Sequence, residues 1–238
     1  NLRRSLQLLR EAGVSGEPAL APSLSLAGLL TARGELASAE ELLESCGRIL
    51  ADSQSTSRMV ALWHLRHADL LNHKGDLAAA DEAYGLAEKF AGAANSLLAS
   101  EVFRHRGELA LKQMKENDAL RYFRNAYTTI KPDLSVNDPQ LCINYNLLGS
   151  TFLQKNDLDS ALHYLQLAVE RNLVPRPGKP AELEPVYPIE LISSFYFLSQ
   201  SFQQRYKKSG ALPDLKQSVA FADRGLRAID ARRKSLAM

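Results

Sequence analysis

The sequence predicts an all-α fold, a right-handed α-solenoid of antiparallel helical hairpins, and three observations predict it. A small residue recurs at Ala39, Ala80, Ala119 and Ala161, followed four residues later by Leu43, Tyr84, Phe123 or Leu165 and seven later by Cys46, Ala87, Ala126 or Ala168. Twelve residues before each of those alanines stands a second small residue: Ala27, Ala68, Gly107 and Gly149. Both markers advance in steps of 41, 39 and 42 residues, so they keep one register. Helices approach closely only where side chains are small, and a period of this length marks units that bury their apolar faces against their neighbours. Apolar spacing supplies the third observation. Leu26, Leu29 and Leu30, then Leu42, Leu43, Ile49 and Leu50, follow a helical repeat, and no stretch alternates β-branched residues as a strand would.

The elements follow in order. Residues 1–13, with Leu2, Leu6 and Leu9 beside Arg3, Arg4 and Arg10, read as the trailing amphipathic helix of a preceding repeat. Repeats are expected over 19–51, 58–94, 97–131 and 139–173. Within each, two helices meet at a short turn: Arg33-Gly34-Glu35, Lys74-Gly75-Asp76, Lys115-Glu116-Asn117-Asp118 and Lys155-Asn156-Asp157. Gly and Asn suit a left-handed C-cap, and Asp suits the N-cap of the helix that follows. Polar connectors at 52–57 and 132–139 join the hairpins, the second leading into a helix that starts near Pro139. Residues 174–188 hold Pro175, Pro177, Pro180, Pro185 and Pro188, a density that no helix survives. This segment is expected to be a connector, either a plain surface one or a hinge or lid over a groove. Residues 189–236 read as a degenerate fifth repeat and C-terminal helix. Phe195, Leu198, Ser199 and Phe202 mark its first helix, Leu215, Ser218, Ala222 and Gly225 its second, with a long loop over 206–213 between them. Both ends of the chain read as cut from a longer protein.

Phe103, Gly107, Ala119, Phe123 and Ala126, with Tyr145, Leu148, Gly149, Phe152, Ala161, Leu165 and Ala168, resemble the tetratricopeptide repeat (TPR) in residue type and spacing. The likeness covers nearly the whole chain. Its period near 40 exceeds the usual 34, as in MalT-like and kinesin-light-chain-like arrays. His67 and Arg106 depart from the pattern, standing where the motif has a leucine. The stretch from Tyr206 to Leu215, running on through Ala228-Ile229-Asp230-Ala231-Arg232-Arg233, is similar to the last repeat of bacterial TPR proteins that continue into a CHAT peptidase or a sensor kinase. That resemblance implies a regulatory module beside a catalytic domain.

Composition narrows the function. The 238 residues are 45% hydrophobic and 24% charged, with a net charge of +2, which makes the molecule as a whole no electrostatic trap for nucleic acid or an acidic membrane. Arg224, Arg227, Arg232, Arg233 and Lys234 make the last helix basic but lack interleaved aromatics. No signal peptide or membrane-spanning run is present in the sequence. Cys46 and Cys142 have neither metal nor disulfide spacing, and Cys46 sits in a packing slot, which suits a reduced thiol and a cytoplasmic protein. His64, His67, His73 and His105 fall in neighbouring units, but no Cys, Asp or Glu completes a metal-ligand spacing, so they are read as packed or surface histidines. No phosphate loop and no nucleophile motif appears, so neither an enzyme nor a cofactor is expected.

In stacked hairpins the first helix of each unit lines the concave face. Counting from its small residues gives the candidates for binding a protein or peptide. They are Leu65, Asp69, Asn72 and His73 in the second unit, and Glu101, Arg104, Glu108 and Lys112 in the third. Asn146, Ser150 and Gln154 follow in the fourth, and Tyr196, Gln200 and Gln203 in the fifth. Amides can satisfy a peptide backbone while Arg and Glu read its side chains. The same residues also fit a plain solvated face with i, i+4 pairs such as Arg104–Glu108 and Glu108–Lys112. The spaced Lys, Asn and Arg of a chaperone-tail carboxylate clamp are not in register. The expected function is a non-enzymatic scaffold or regulatory module that docks a partner in its groove. The alternatives are a sensor of a small peptide or metabolite that controls an adjoining catalytic domain, and a structural segment of a large assembly.

Overall fold

The computed structural model describes residues 17–52, 56–92, 96–130, 138–176 and 178–236. The segment 1–13 and most of the connectors at 52–57 and 132–139 lie outside them. The described chain is almost wholly helical. After a 3-10 turn at Glu17–Ala19 come α1 (Leu20–Ala32), α2 (Leu36–Asp52), α3 (Ser57–Lys74), α4 (Leu77–Ala91) and α5 (Ser96–Lys112). They are followed by α6 (Glu116–Ile130), α7 (Pro139–Gln154), α8 (Leu158–Asn172), β1 (Leu173–Arg176), β2 (Lys179–Pro185), α9 (Pro188–Ser209) and α10 (Leu212–Leu236). Two compact units divide the chain, 1–115 and 116–238.

In the first unit α1 pairs with α2 and α3 with α4, while the first helices α1, α3 and α5 lie side by side. In the second, α6 packs on α7, α7 pairs with α8, α9 lies across both α7 and α8, and α9 pairs with α10. The small-residue signature is the packing code. Ala27, Ala39, Ala68, Ala80, Ala119 and Ala161 are fully buried, as are Tyr84, Phe123 and Leu165 behind them. Gly149 shows why the slot must be small, because a Cβ there would lie 2.6 Å from Leu165 Cγ and 3.3 Å from the Ala161 carbonyl oxygen.

The hairpin turns share one geometry. Gly34, Gly75, Met114 and Asn156 all take left-handed backbone (φ between 58° and 88°), and they too advance by 41, 39 and 42 residues. The amide after each reaches back to a carbonyl of the last helical turn: Glu35 to Leu30, Asp76 to Leu71, Lys115 to Ala110 and Asp157 to Phe152. This is the Schellman closure. Asp76 and Asp157 then cap α4 and α8 by accepting the Ala79 and Ser160 amides. The third turn differs from expectation. Its left-handed residue is Met114, and Asn117 and Asp118 already lie in the first turn of α6.

One further expectation is corrected, and the proline-rich connector takes a form that the sequence did not show. The proline-rich segment is a β-ribbon, with Leu173 opposite Pro185, Val174 opposite Glu184 and Pro175 opposite Leu183. Proline forbids the helix interior but accepts extended backbone. Buried Asn172 closes the base of the ribbon, because its side chain donates to the Tyr187 carbonyl at 2.8 Å and accepts the Tyr187 amide at 2.9 Å. The long loop expected over 206–213 is instead helix up to Ser209, and α10 begins at Leu212. Gly210 makes the turn at φ 69°, and Pro213 sits in the first turn of α10, where no amide hydrogen is required.

Candidate functional site

A pocket of about 490 Å³ opens where α1, α3 and α5 converge in the first unit. Five of the expected residues line it: Asp69, Asn72 and His73 from α3, Glu108 and Lys112 from α5. The register explains the grouping. Gly28, Asp69 and Glu108 each follow directly on a small packing residue and so present themselves at the same height on adjacent helices. Lys112 Nζ donates to Asn72 Oδ1 at 2.7 Å, tying α5 to α3 across the pocket instead of pairing along its own helix. His73 Nδ1 meets the Asp69 carbonyl oxygen at 3.0 Å.

Asp69 is the centre of the site, and it is buried. Its Oδ1 accepts from Tyr84 Oη at 2.8 Å and lies 2.6 Å from His105 Nδ1, while Oδ2 faces Arg66 Nη1 at 3.2 Å. Arg66 Nη2 continues to Glu101 at 3.0 Å. Burial opposes charge on Asp69, but the His105 hydrogen bond and charge, with Arg66 and Tyr84, hold its carboxyl below the usual range. Burial likewise works against protonated His105, and the Asp69 carboxylate outweighs it, raising His105. Tyr84 is pushed far up by burial and then by Asp69, so its hydroxyl remains a donor. A Cβ at Gly28 would stand 3.0 Å from Cδ and Nε of Arg66, so any larger residue on α1 would push the Arg66 side chain aside by a few tenths of an ångström. Thr31 Oγ1 is buried in the pocket wall without a hydrogen-bond partner.

Arg66, Tyr84 and His105 were not singled out for this site from the sequence. Their partner is 3, 15 and 36 residues away, so only the fold brings the last two together. The remaining expected residues lie elsewhere. Leu65 is fully buried core and faces no ligand. Arg104 is half-buried and its Nε has no hydrogen-bond partner. Asn146 is buried between α7 and α9, donating to the Glu190 carbonyl at 2.9 Å and accepting from Ser194 Oγ at 2.7 Å. Ser150 donates to Leu147 O of its own helix at 3.1 Å, and Gln154 and Gln203 are exposed while Gln200 is half-exposed. Tyr196 stands largely exposed and lines a different, apolar pocket between α9 and α10.

The two departures from the leucine pattern have local explanations. His67 stacks on Trp63, ring centroids 5.1 Å apart, and Arg106 pairs with Glu88 and with Asp81. Burial lowers the affinity of His64 and His67 for a proton. Cys46 and Cys142 are buried, and burial pushes both thiols up to about 11. No group of three metal-ligating side chains occurs among the described residues. Among those residues no helix is long and apolar enough to cross a membrane.

Solved structures place this geometry. BtubC from P. vanneervenii aligns with 98% of this chain and 89% of its own, with a TM-score of 0.75 at 20% identity. The fold is that of a tetratricopeptide-repeat array. A Podosopora anserina kinesin light chain protein of nearly identical TPR-like repeats covers 86% of this chain and 95% of its own (TM-score 0.65, 16% identity). YrrB, a TPR protein with an unusual peptide-binding site, covers 95% and 96% (TM-score 0.53, 17% identity). No protein-family model and no curated protein sequence matches the chain.

Proposed function

We propose that the chain is a non-enzymatic TPR scaffold that docks a peptide or protein segment in the groove formed by the first helices of its hairpins. The supporting observation is the pocket at α1, α3 and α5. It combines an amide (Asn72), charges of both signs (Glu108, Lys112), an imidazole (His73) and an unpartnered buried hydroxyl (Thr31) in one concave surface. Such a set can satisfy a peptide backbone and read its side chains at once. The Asp69 network behind it fixes the wall, because each member is oriented by another. YrrB, of the same fold, is described as having a peptide-binding site, which agrees with this use.

The volume of the pocket, about 490 Å³, also falls in the range that holds small ligands, which favours a second reading as a sensor of a short peptide or metabolite. The resemblance of the C-terminal repeat to arrays that precede catalytic domains would make that sensor a regulator of an adjoining domain. One experiment separates the readings. The chain is used as bait beside Glu108→Lys and Lys112→Glu variants, and captured proteins are compared by mass spectrometry. Both side chains are exposed, so the variants should keep their helicity. A partner lost from both variants supports the scaffold. Equal capture by all three baits removes the groove as the docking surface. Capture by none, with a melting shift on adding a metabolite pool, supports the sensor.

A further inference from the structure

We propose that the pocket where α1, α3 and α5 converge takes a free α-amino acid with an apolar side chain, its ammonium on Glu108 and its carboxylate on Lys112. The proposal rests on the sensor reading of this pocket and names the class of metabolite sensed.

The register builds the cavity in two layers. Gly28, Asp69 and Glu108 stand at one height on the three helices, and Ala32, His73 and Lys112 stand one turn further along, again 41 and 39 residues apart. At both heights α1 carries the smallest side chains, glycine and alanine, where α3 and α5 carry polar or charged ones. The first helix thus leaves room for a pocket of about 490 Å³, a size that suits a small molecule. Half-exposed Leu29, with Ala32, gives the α1 wall an apolar surface. In the same wall the buried Thr31 Oγ1 has no partner among the described residues, a polar atom left for an occupant to satisfy.

Ion pairing decides which charges are left for that occupant. Asp69, Arg66 and His105 line the pocket but are spent on one another. Glu108 makes no hydrogen bond or ion pair among the described residues. Arg104, one turn earlier on α5, feels its charge but feels that of Glu101 more strongly, and it does not line the pocket. Among the described residues Lys112 bonds the neutral Asn72 side chain, at 2.7 Å, and no carboxylate. The pocket therefore offers one uncompensated charge of each sign, four residues apart on one face of α5. A purely cationic ligand would be opposed by Lys112, and a purely anionic one by Glu108. A ligand with both charges on neighbouring atoms satisfies both, and a free α-amino acid is the smallest of that kind. Its side chain is then left for the apolar wall of Leu29 and Ala32.

The test is isothermal titration calorimetry of the 238-residue chain with L-leucine, beside N-acetyl-leucine, which lacks the ammonium, and leucine amide, which lacks the carboxylate. Leucine should bind at least about tenfold more tightly than either derivative, because each forfeits a charge-assisted contact. Glu108→Gln should remove the advantage over N-acetyl-leucine, and Lys112→Met the advantage over leucine amide. Ala32→Phe, an exposed change that fills the pocket, should block all three with the circular dichroism unchanged. Absence of leucine binding, equal binding of the derivatives, or indifference to both Glu108→Gln and Lys112→Met would overturn the proposal. The sensor reading stands or falls separately. It survives if a metabolite pool shifts the melting midpoint and Ala32→Phe removes that shift, whether or not leucine binds.

Discussion

Two buried polar junctions hold first helices side by side, and they are built from opposite chemistry. In the first unit, Asp69 on α3 collects Tyr84, His105 and Arg66, so the junction is ionic. In the second, Asn146 on α7 exchanges hydrogen bonds with Ser194 and the Glu190 carbonyl on α9, so it is neutral. Both satisfy buried polar atoms. Only the ionic one responds to protons, and only it would leave several groups stranded if its centre were removed. The stacking geometry is thus indifferent to the chemistry that fills it, while stability and pH response are not.

The sharpest way to break the contrast is Asp69→Ala. It strands the buried Tyr84 hydroxyl and the His105 imidazole, leaves Arg66 with Glu101 alone, and should cost about 3–5 kcal/mol, read by urea denaturation. Gly149→Leu is expected next, at about 1–3 kcal/mol, because it overpacks against Leu165 without touching either junction. An unchanged melting curve would contradict the packing assignment. Asn146→Ala should cost about 1–3 kcal/mol, toward the low end because Ser194 keeps a second acceptor in the Glu190 carbonyl.

Titration sharpens the difference further. Asp69 is lowered from 3.8, so its contribution is present above that value and is lost as pH falls through the folded pKa. His105 is raised from 6.5, so its contribution is complete below 6.5 and is lost as pH rises through the folded pKa. Stability should therefore peak between these limits, and His105→Gln should flatten the alkaline side while Asn146→Ala leaves the profile's shape alone. The smallest effect is expected at Met114, which holds the left-handed turn that glycine fills at Gly34 and Gly75. Met114→Gly should raise stability by up to about 1 kcal/mol, seen as a later thermal midpoint.

The fold was legible because its rule is local and steric. The small residues at Ala27, Ala68, Gly107 and Gly149 and their partners twelve residues on are all buried where the period puts them. The turns were legible wherever glycine or asparagine took the left-handed residue, and missed at Met114, whose side chain gives no sign of it. The β-ribbon was hidden because its prolines speak only against helix, while what makes it a ribbon is Asn172 gripping Tyr187 fifteen residues away. The site was half legible. Counting along a helix found Asp69, Asn72, His73, Glu108 and Lys112 on one face, but it could not tell a residue that faces the pocket from one, such as Asn146, spent on the next helix.

That ribbon has a consequence for the company the molecule keeps. A two-stranded sheet has two open edges, and an open edge is a template on which a stray strand can add. Pro175 stands in β1 and Pro185 in β2, so each strand lacks an amide hydrogen and neither edge presents an unbroken row of donors. The residues that keep this segment from being helix also keep it from seeding sheet between molecules.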